Sequence, residues 1–133
     1  MLSNRIILLI SIFGLIYSTT ECTFNADPTP PSAPVNIVTS SGDSMIEMSW
    51  NLNNEGDFEG YNLYKSEQNI TDISVLTPVH GDELYFESSY TDEQVENGIT
   101  YYYRITAVDL NGNESEPSQE IRATPFSEPP IRP

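Results

Sequence analysis

From Val35 onward, the hydrophobic pattern of the chain has a period of two. Around Trp50, and again between Tyr101 and Ala107, apolar residues alternate with polar ones, as in a strand with one buried face. Gly, Asn, Asp and Pro residues separate the alternating runs. The pattern predicts seven short strands and favours an antiparallel β-sandwich. The predicted strands contain Val35 and Ile37, Ile46 to Trp50, Tyr61 and Leu63, Val75 to Val79, Phe86 and Tyr90, Tyr101 to Ala107, and Ile121 and Ala123.

The same alternation divides the aromatic residues into an inner and an outer set. Tyr64 and Tyr102 fall on the outward face of adjacent strands, where they are expected to pair across the strands or to contact a partner. Four other aromatic residues fall on the inward face, so we expect them to have a structural role in the core. These four are Trp50, Tyr61, Tyr101 and Tyr103.

Proline residues divide the chain into parts. One cluster lies between Pro28 and Pro34 and a second between Pro125 and Pro133, with only Pro78 and Pro117 between them. Proline cannot donate a ladder hydrogen bond, so the two clusters are expected to bracket the folded domain. The predicted parts are a signal peptide at 1–21, a Pro-rich spacer at 22–33, the domain at 34–125 and a Pro-rich tail at 126–133.

The N-terminal segment has the layout of an export signal. Arg5 precedes an apolar run from Ile6 to Tyr17, and the small residues Ser18, Thr19 and Thr20 follow. This run is shorter than the roughly 20 residues that a membrane-spanning helix needs. The sequence therefore predicts a secreted or cell-surface protein.

Cys22, the single cysteine, leaves two alternatives open. It lies where a lipoprotein signal places its lipid-modified cysteine, although Glu21 and Thr19 differ from the residues that such signals usually carry. The alternative is cleavage after Thr20, which leaves a free thiol near the mature N-terminus. A lipid on Cys22 is the one membrane attachment that the sequence suggests, and the mass of the mature protein distinguishes the alternatives.

The charge of the chain excludes one class of partner. The 133 residues include 20 Asp and Glu but only five Lys and Arg, which gives a formal net charge of −15. Such a surface repels phosphate groups, so binding to nucleic acid or docking on anionic lipid is not expected. A cation or a basic partner remains compatible with the charge.

Residues for catalysis or metal binding are sparse, and we expect neither an enzyme nor a bound cofactor. The one histidine, His80, is expected to be exposed in a loop, and no serine or cysteine lies in a nucleophile motif. The loop from Asp109 to Ser115 has oxygen ligands at a calcium-like spacing, but Glu114 stands where such a loop needs glycine. Asn111-Gly112 instead predicts a hairpin turn.

Several motifs together resemble the fibronectin type III domain. The resemblance spans Pro31 to Pro125, and its most specific part is V-E-N-G-I-T-Y-Y-Y-R-I-T-A-V-D, Val95 to Asp109. It implies an all-β fold, a seven-stranded antiparallel immunoglobulin-like β-sandwich, in which Tyr101 is the tyrosine corner and bonds backbone a few residues upstream. Asn97 stands where the family often has proline. The other matching motifs are P-S-A-P at Pro31 to Pro34, Trp50, G-Y-N-L-Y-K at Gly60 to Lys65, and Y-T-D at Tyr90 to Asp92.

This fold gathers three loops at one end, which makes the last of them a candidate binding loop. The candidate residues are Leu110, Asn111, Gly112, Asn113 and Glu114. The same end would carry acidic residues that could hold a cation, namely Glu55, Asp57, Glu59, Asp82, Glu83, Asp109 and Glu114. Because the opposite end is also acidic, at Asp43, Glu67, Asp72, Asp92, Glu93 and Glu96, the charge favours solubility over a cation site.

The resemblance implies a non-catalytic function. The chain is expected to be a binding or spacer module at the cell exterior, with a protein or a carbohydrate as partner. One alternative is an accessory module of a secreted polysaccharide-degrading system, and another is a structural surface protein without a specific ligand. The candidate loop lacks the Arg-Gly-Asp that some family members carry there. The sequons at Asn69 and Asn113 have a meaning only in a eukaryotic source.

Overall fold

The computed structural model describes residues 27–127, so Cys22, the predicted signal peptide and most of the predicted tail lie outside the described residues. Six strands in this range form two three-stranded antiparallel sheets. This arrangement confirms the all-β antiparallel sandwich. No helix in the range is long and apolar enough to cross a membrane. The strands are β1 Val38–Gly42, β2 Met45–Ser49, β3 Phe58–Ser66, β4 Ser89–Asp92, β5 Tyr101–Asp109 and β6 Ile121–Ala123.

The strand order places the β1–β2 hairpin in one sheet and the long β3–β5 pair in the other. One sheet has the order β1-β2-β4 and the other β3-β5-β6. The hairpin of β1 and β2 brings Gly42 opposite Met45. β3 and β5 pair along most of their length, with Leu63 opposite Ile105. Because buried and exposed side chains alternate along β2 and β6, each sheet has an apolar inner face that packs on the other sheet.

The core between the sheets contains all four aromatic residues that the sequence assigns to it. Tyr61 and Tyr103 have no exposed surface, and Trp50 and Tyr101 are 5% exposed. The rings of Trp50 and Tyr61 meet edge to face with their centroids 5.2 Å apart, a favourable aromatic geometry. The hydroxyl of Tyr101 accepts a hydrogen bond from the N–H of Glu96 at 3.0 Å. This contact is the tyrosine corner that the resemblance implies.

The strand count differs from the expectation, because Val75 to Val79 does not form a strand. Val75 is largely exposed, and the chain turns at Pro78, whose carbonyl accepts a hydrogen bond from the N–H of Gly81 at 2.9 Å. Pro78, the fourth residue of the predicted strand, has no N–H to donate, so the contact of Val79 with the Leu63 carbonyl at 2.7 Å does not extend into a ladder. Residues 27–127 therefore contain six strands and not seven.

The predicted strand through Phe86 and Tyr90 begins later, at Ser89. Before that point, Tyr85 forms an isolated antiparallel bridge with Tyr61 in the other sheet. The chain thus crosses from one sheet to the other between Tyr85 and Ser89. This crossing leaves Phe86 66% exposed, because it belongs to neither apolar inner face.

Two serine side chains complete the ladder beside β5. Between β5 and β6, the N–H groups of Ser115 and Ser118 donate to the carbonyls of Ala107 and Ile105, each at 2.8 Å. In return, the N–H groups of Ala107 and Ile105 donate to the hydroxyls of Ser115 and Ser118. Pro117 interrupts the regular strand pattern here, and the hydroxyls accept the bonds that backbone carbonyls would otherwise take.

We expect Ser118→Ala to lower the free energy of unfolding by about 1–2 kcal/mol, because the buried N–H of Ile105 loses its acceptor. Urea unfolding followed by the fluorescence of Trp50, the only tryptophan, measures the change. Ser49→Ala is the matched control, since Ser49 is exposed on β2. Equal losses in the two variants would contradict a specific role for the Ser118 hydroxyl.

Candidate functional site

The predicted binding loop is a compact turn after β5. Asp109 is fully buried, and its carboxylate accepts three hydrogen bonds of 2.8 Å, from the N–H groups of Asn111 and Asn113 and from Asn113 Nδ2. Gly112 has φ 78° and donates its N–H to the Asp109 carbonyl. A turn followed by a left-handed glycine is typical of a three-residue hairpin loop. Asn111-Gly112 thus lies in the predicted turn, and Leu110 extends into solvent with 68% of its surface exposed.

Glu114, the last residue of the predicted binding loop, turns back onto the outer face of the β3-β5-β6 sheet. Its Oε1 accepts hydrogen bonds from the hydroxyls of Thr106 and Tyr64 and from Asn62 Nδ2. Burial raises the pKa of the Glu114 carboxyl, but these three donors together outweigh burial and hold the pKa below its ordinary value. Three donors thus hold Glu114 against its own sheet through Oε1.

Tyr64 is on the outer face of its sheet, but it is only 5% exposed. It lies opposite Arg104 on β5, whereas Tyr102 lies opposite Ser66, so the two tyrosines are not direct cross-strand neighbours. Burial, followed by the hydrogen bond to Glu114, raises the pKa of Tyr64 to about 12. The expected pairing of Tyr64 with Tyr102 is therefore replaced by a contact between Tyr64 and Glu114.

The acidic residues expected at the loop end do not converge on one point. Within the described range, no three His, Cys, Asp or Glu side chains lie close enough to share a metal ion. The Asp109 carboxylate is engaged within its own turn, and Glu55 accepts hydrogen bonds from other loop residues. Four further carboxylates of this end make no shared cluster with them, at Asp57, Glu59, Asp82 and Glu83.

The segment before β1 is bound to this same end of the sandwich. The N–H of Ser32 donates to Glu55 Oε1, and the Ser32 carbonyl accepts from Asn53 Nδ2, both at 2.8 Å. Earlier in the chain, the Asp27 carbonyl accepts from Asn113 Nδ2 at 2.7 Å. The part of the predicted spacer that the structure describes therefore lies against the β2–β3 and β5–β6 loops. We call residues 27–37 the leading segment.

The start of β1 is also set by the leading segment. The sequence predicts a strand from Val35, but Asn36 has φ 56°, a left-handed conformation that interrupts extended backbone. The Val35 carbonyl still accepts a hydrogen bond from the N–H of Asn51 at 3.1 Å. Regular pairing with β2 then begins at Val38.

We expect acid to release the leading segment. The backbone N–H of Ser32 is the largest cause that lowers the pKa of Glu55 from 4.5 to about 2. A carboxyl whose pKa falls on binding stabilises the bound state fully above pH 4.5, and this stabilisation is lost as the pH falls toward 2. The amide proton resonance of Ser32, followed by NMR, should shift across this range. Glu55→Gln should abolish the shift, and an unchanged titration in this variant would contradict the assignment.

The chain leaves the domain at the opposite end. The N–H of Gly98 donates to the Pro125 carbonyl at 2.8 Å, and the N–H of Phe126 donates to the Gly42 carbonyl at 3.0 Å. Gly42 ends β1 and Gly98 precedes β5, so both lie at the end remote from Asp109. β5 has nine residues. A strand of that length spans about 30 Å. The chain thus enters at one end of the sandwich and leaves at the other.

A buried ion pair lies near this second end. Asp92 is 2% exposed, and its Oδ2 lies 2.7 Å from Lys65 Nζ and accepts a hydrogen bond from the Tyr103 hydroxyl at 2.8 Å. Lys65 Nζ also donates to the Gln94 carbonyl and lies 4.7 Å from the centroid of the Tyr101 ring. Burial and then the bond to Asp92 raise the pKa of Tyr103 well above its ordinary value. Nothing in the sequence pattern pointed to this pair.

His80 is a packing residue, half-buried where an exposed loop position was expected. Its ring stacks on Tyr85 with centroids 4.9 Å apart and meets Tyr90 edge to face at 5.4 Å. The Nδ1 atom is buried and has no hydrogen-bond partner within residues 27–127. Tyr85 and Tyr90 also meet edge to face at 5.6 Å, so the three rings form one aromatic cluster.

Two antiparallel sheets, an aromatic core and a tyrosine corner at Tyr101 define an immunoglobulin-like β-sandwich module. The family model described as "Fibronectin type III domain" matches residues 29–124. The chain belongs to the fibronectin type III family.

The chain is also similar to small parts of much larger enzymes. It is 35% identical over 99 residues to the amylopullulanase of Thermoanaerobacterium thermosulfurigenes, a match that covers 74% of this chain and 5% of that enzyme. The crystal structure of a β-1,2-glucanase from Parabacteroides distasonis matches with a TM-score of 0.58 and 30% identity, over 74% of this chain and 14% of that one. An Fn3-like protein from Clostridium thermocellum shares the fold, with a TM-score of 0.55 and 21% identity, over 78% of this chain and 100% of that one.

Proposed function

We propose that this chain is a non-catalytic accessory module of an exported polysaccharide-degrading system, and that it acts as a rigid spacer. The observation that carries the proposal is the course of the chain, which enters the sandwich at one end and leaves it at the other. A module of this kind holds whatever precedes and follows it at least the length of the sandwich apart. The matches to an amylopullulanase and a β-1,2-glucanase support the choice of system.

The hydrogen bonds at both ends support rigidity. The leading segment is held through Asp27 and Ser32, and the exit is held through Pro125 and Phe126. Segments bonded in this way cannot swivel freely at the domain boundary, whereas a Gly- or Ser-rich linker behaves as a flexible coil. The orientation of the domain therefore fixes the directions of the two segments that enter and leave it.

The predicted signal peptide supports a position outside the cytoplasm, with a lipid on Cys22 as one means of retention at the cell surface. Packing of His80 against Tyr85, and the engagement of Glu114 by three donors, support a non-catalytic role, because both side chains make structural contacts within the domain.

The spacer role can be tested by the distance between the two ends. Spin labels at Asp27→Cys and Ser127→Cys, in the full chain with Cys22→Ser, should give one narrow distance distribution centred at about 30 Å or more. Glu55→Ala combined with Asn53→Ala removes the side-chain contacts to Ser32 and should broaden the distribution. A broad distribution in the parent chain would overturn the spacer role.

The non-catalytic role has a separate test. Incubation of the purified full chain with pullulan or with β-1,2-glucan should release no reducing sugar. A sugar-releasing activity that co-elutes with the domain in two different chromatographic separations would contradict this non-catalytic role.

A further inference from the structure

We propose that the groove between the leading segment and β6 binds a neutral gluco-oligosaccharide. This inference rests on the proposed function and names a ligand class for the same module. The groove has a volume of about 660 Å³, against about 610 and 310 Å³ for two other surface grooves. This volume lies within the range of small-ligand sites.

The floor of the groove is apolar. Pro34 and Ile121 are buried at its base, Ile37 is half-buried and packs against the core, and Val35 beside them is 56% exposed to a ligand. A pyranose ring has an apolar C–H face beside its hydroxyls, and this face loses contact with water when it packs on such a floor. Sugar-binding sites commonly use aromatic rings for this contact. Since the groove has none, we expect weak binding.

The rim carries planar polar groups that suit sugar hydroxyls. Asn36, Gln119 and Arg122 are exposed along the groove, and within residues 27–127 their side chains make no hydrogen bond to another residue. An amide group both donates and accepts, and a guanidinium presents several N–H donors in one plane. Adjacent hydroxyls on a pyranose ring can therefore be bridged in pairs. This combination of floor and rim matches the two kinds of surface that a sugar presents.

The local charge favours a neutral ligand over an ionic one. Arg122 and Glu120 are the charged residues of the groove, and they balance each other. Glu120 is held in place by Asn69 Nδ2 at 3.1 Å and by the N–H of Ile70 at 2.6 Å. The groove of about 610 Å³ has an unbalanced lining, with Lys65 among the carboxylates of Glu67, Glu93 and Glu96.

The acidic character of the rest of the surface adds to this preference. A chain with a net charge of −15 repels an anionic polysaccharide at long range. An uncharged glucan approaches without this repulsion. Among the three grooves, the one beside β6 thus combines local neutrality with unpaired planar donors.

NMR titration of the full chain tests the inference. Maltoheptaose and a linear β-1,2-linked gluco-oligosaccharide are added in separate titrations, and polygalacturonate serves as the charged probe. At least one neutral sugar should shift the amide resonances of Asn36, Gln119 and Arg122, with a dissociation constant of about 1 mM. Polygalacturonate should shift none of them.

Variants decide whether the groove is the site. Arg122→Ala should weaken binding about tenfold, because a hydrogen bond from a charged donor is lost. Gln119→Ala should weaken it less, and Gln68→Ala, an exposed glutamine outside the groove, should leave it unchanged. Unchanged spectra of the folded variants in the absence of sugar exclude misfolding as the cause of a loss.

The outcomes separate this inference from the spacer proposal. Neutral sugars that leave the groove resonances unmoved, or binding that Arg122→Ala leaves intact, would overturn the sugar site. If the spin-label distances are then still narrow, the spacer role stands without it. Broad distances together with groove-specific binding would overturn the spacer role and leave the sugar site supported.

Discussion

Asp92→Ala should lower the free energy of unfolding by about 3–4 kcal/mol, because it leaves a partly buried ammonium group without its counter-ion. Lys65 is 21% exposed and would keep the Gln94 carbonyl as an acceptor, whereas the buried Tyr103 hydroxyl would lose its partner altogether. Urea unfolding followed by Trp50 fluorescence measures the loss.

Two further variants show whether the loss comes from the ion pair. Glu93→Ala removes the next carboxylate along the chain, which is exposed, and should change stability by less than about 0.5 kcal/mol. Combining Asp92→Ala with Lys65→Met should cost less than the sum of the single changes, because no uncompensated charge remains. Strict additivity of the two single losses would count against an energetic coupling between Lys65 and Asp92.

Gly60→Val should lower the free energy of unfolding by about 3 kcal/mol, since a side chain at this position has no room. A Cβ atom on Gly60 would lie 2.8 Å from the Cβ of Leu84 and 3.1 Å from the carbonyl oxygen of Tyr85. The obstacle is the chain itself, which passes close to β3 to form the bridge between Tyr85 and Tyr61. Urea unfolding reports the size of the effect.

Gly56 provides the matched control for Gly60. It lies four residues earlier, in the loop between β2 and β3, and a Cβ placed on it meets nothing within 4 Å. Gly56→Val should therefore leave stability within about 0.5 kcal/mol of the parent chain. A loss as large as that of Gly60→Val would show that the glycine effect is not due to the close approach of Leu84.

The sequence predicts the fold class and the core because both depend on local alternation. Trp50, Tyr61 and Tyr103 lie at inward positions of strands whose neighbours are polar, and the structure buries all three. The turn at Asn111-Gly112 was also predictable from the sequence, because few residues other than glycine adopt a positive φ without strain. Such features require no knowledge of which strands pair.

Long-range polar contacts were not predictable from this single chain. Lys65 and Asp92 are separated by 27 positions, and neither differs in local pattern from the other charged residues of an acidic chain. The same holds for Glu114, which looks like a loop carboxylate but bonds three side chains on its own sheet. The alternation of inward and outward positions predicts that Tyr64 faces outward. It does not show that Glu114 contacts Tyr64 there.

The missing strand at Val75 to Val79 has a related cause. Its apolar residues satisfy a period of two, but Pro78 lacks the donor that a ladder needs. The edge of β3 is met by separate contacts, from the N–H of Val79 to the Leu63 carbonyl and between Tyr85 and Tyr61. Only the three-dimensional path of the chain shows that these contacts do not join into a strand. The carboxylates of the acidic loop end, which the sequence did not favour as a cation site, are bonded within their own turn or dispersed.

Exposed sheet edges are the places where β-proteins join one another into aggregates, because an unpaired row of N–H and C=O groups accepts any extended segment. β6 offers only three residues of regular strand, and the stretch before it is interrupted by Pro117 and flanked by the carboxylates of Glu116 and Glu120. A second strand cannot pair continuously along such an edge. β6 is therefore a poor edge for the growth of an aggregate, and we expect no strand of a second copy to pair along it.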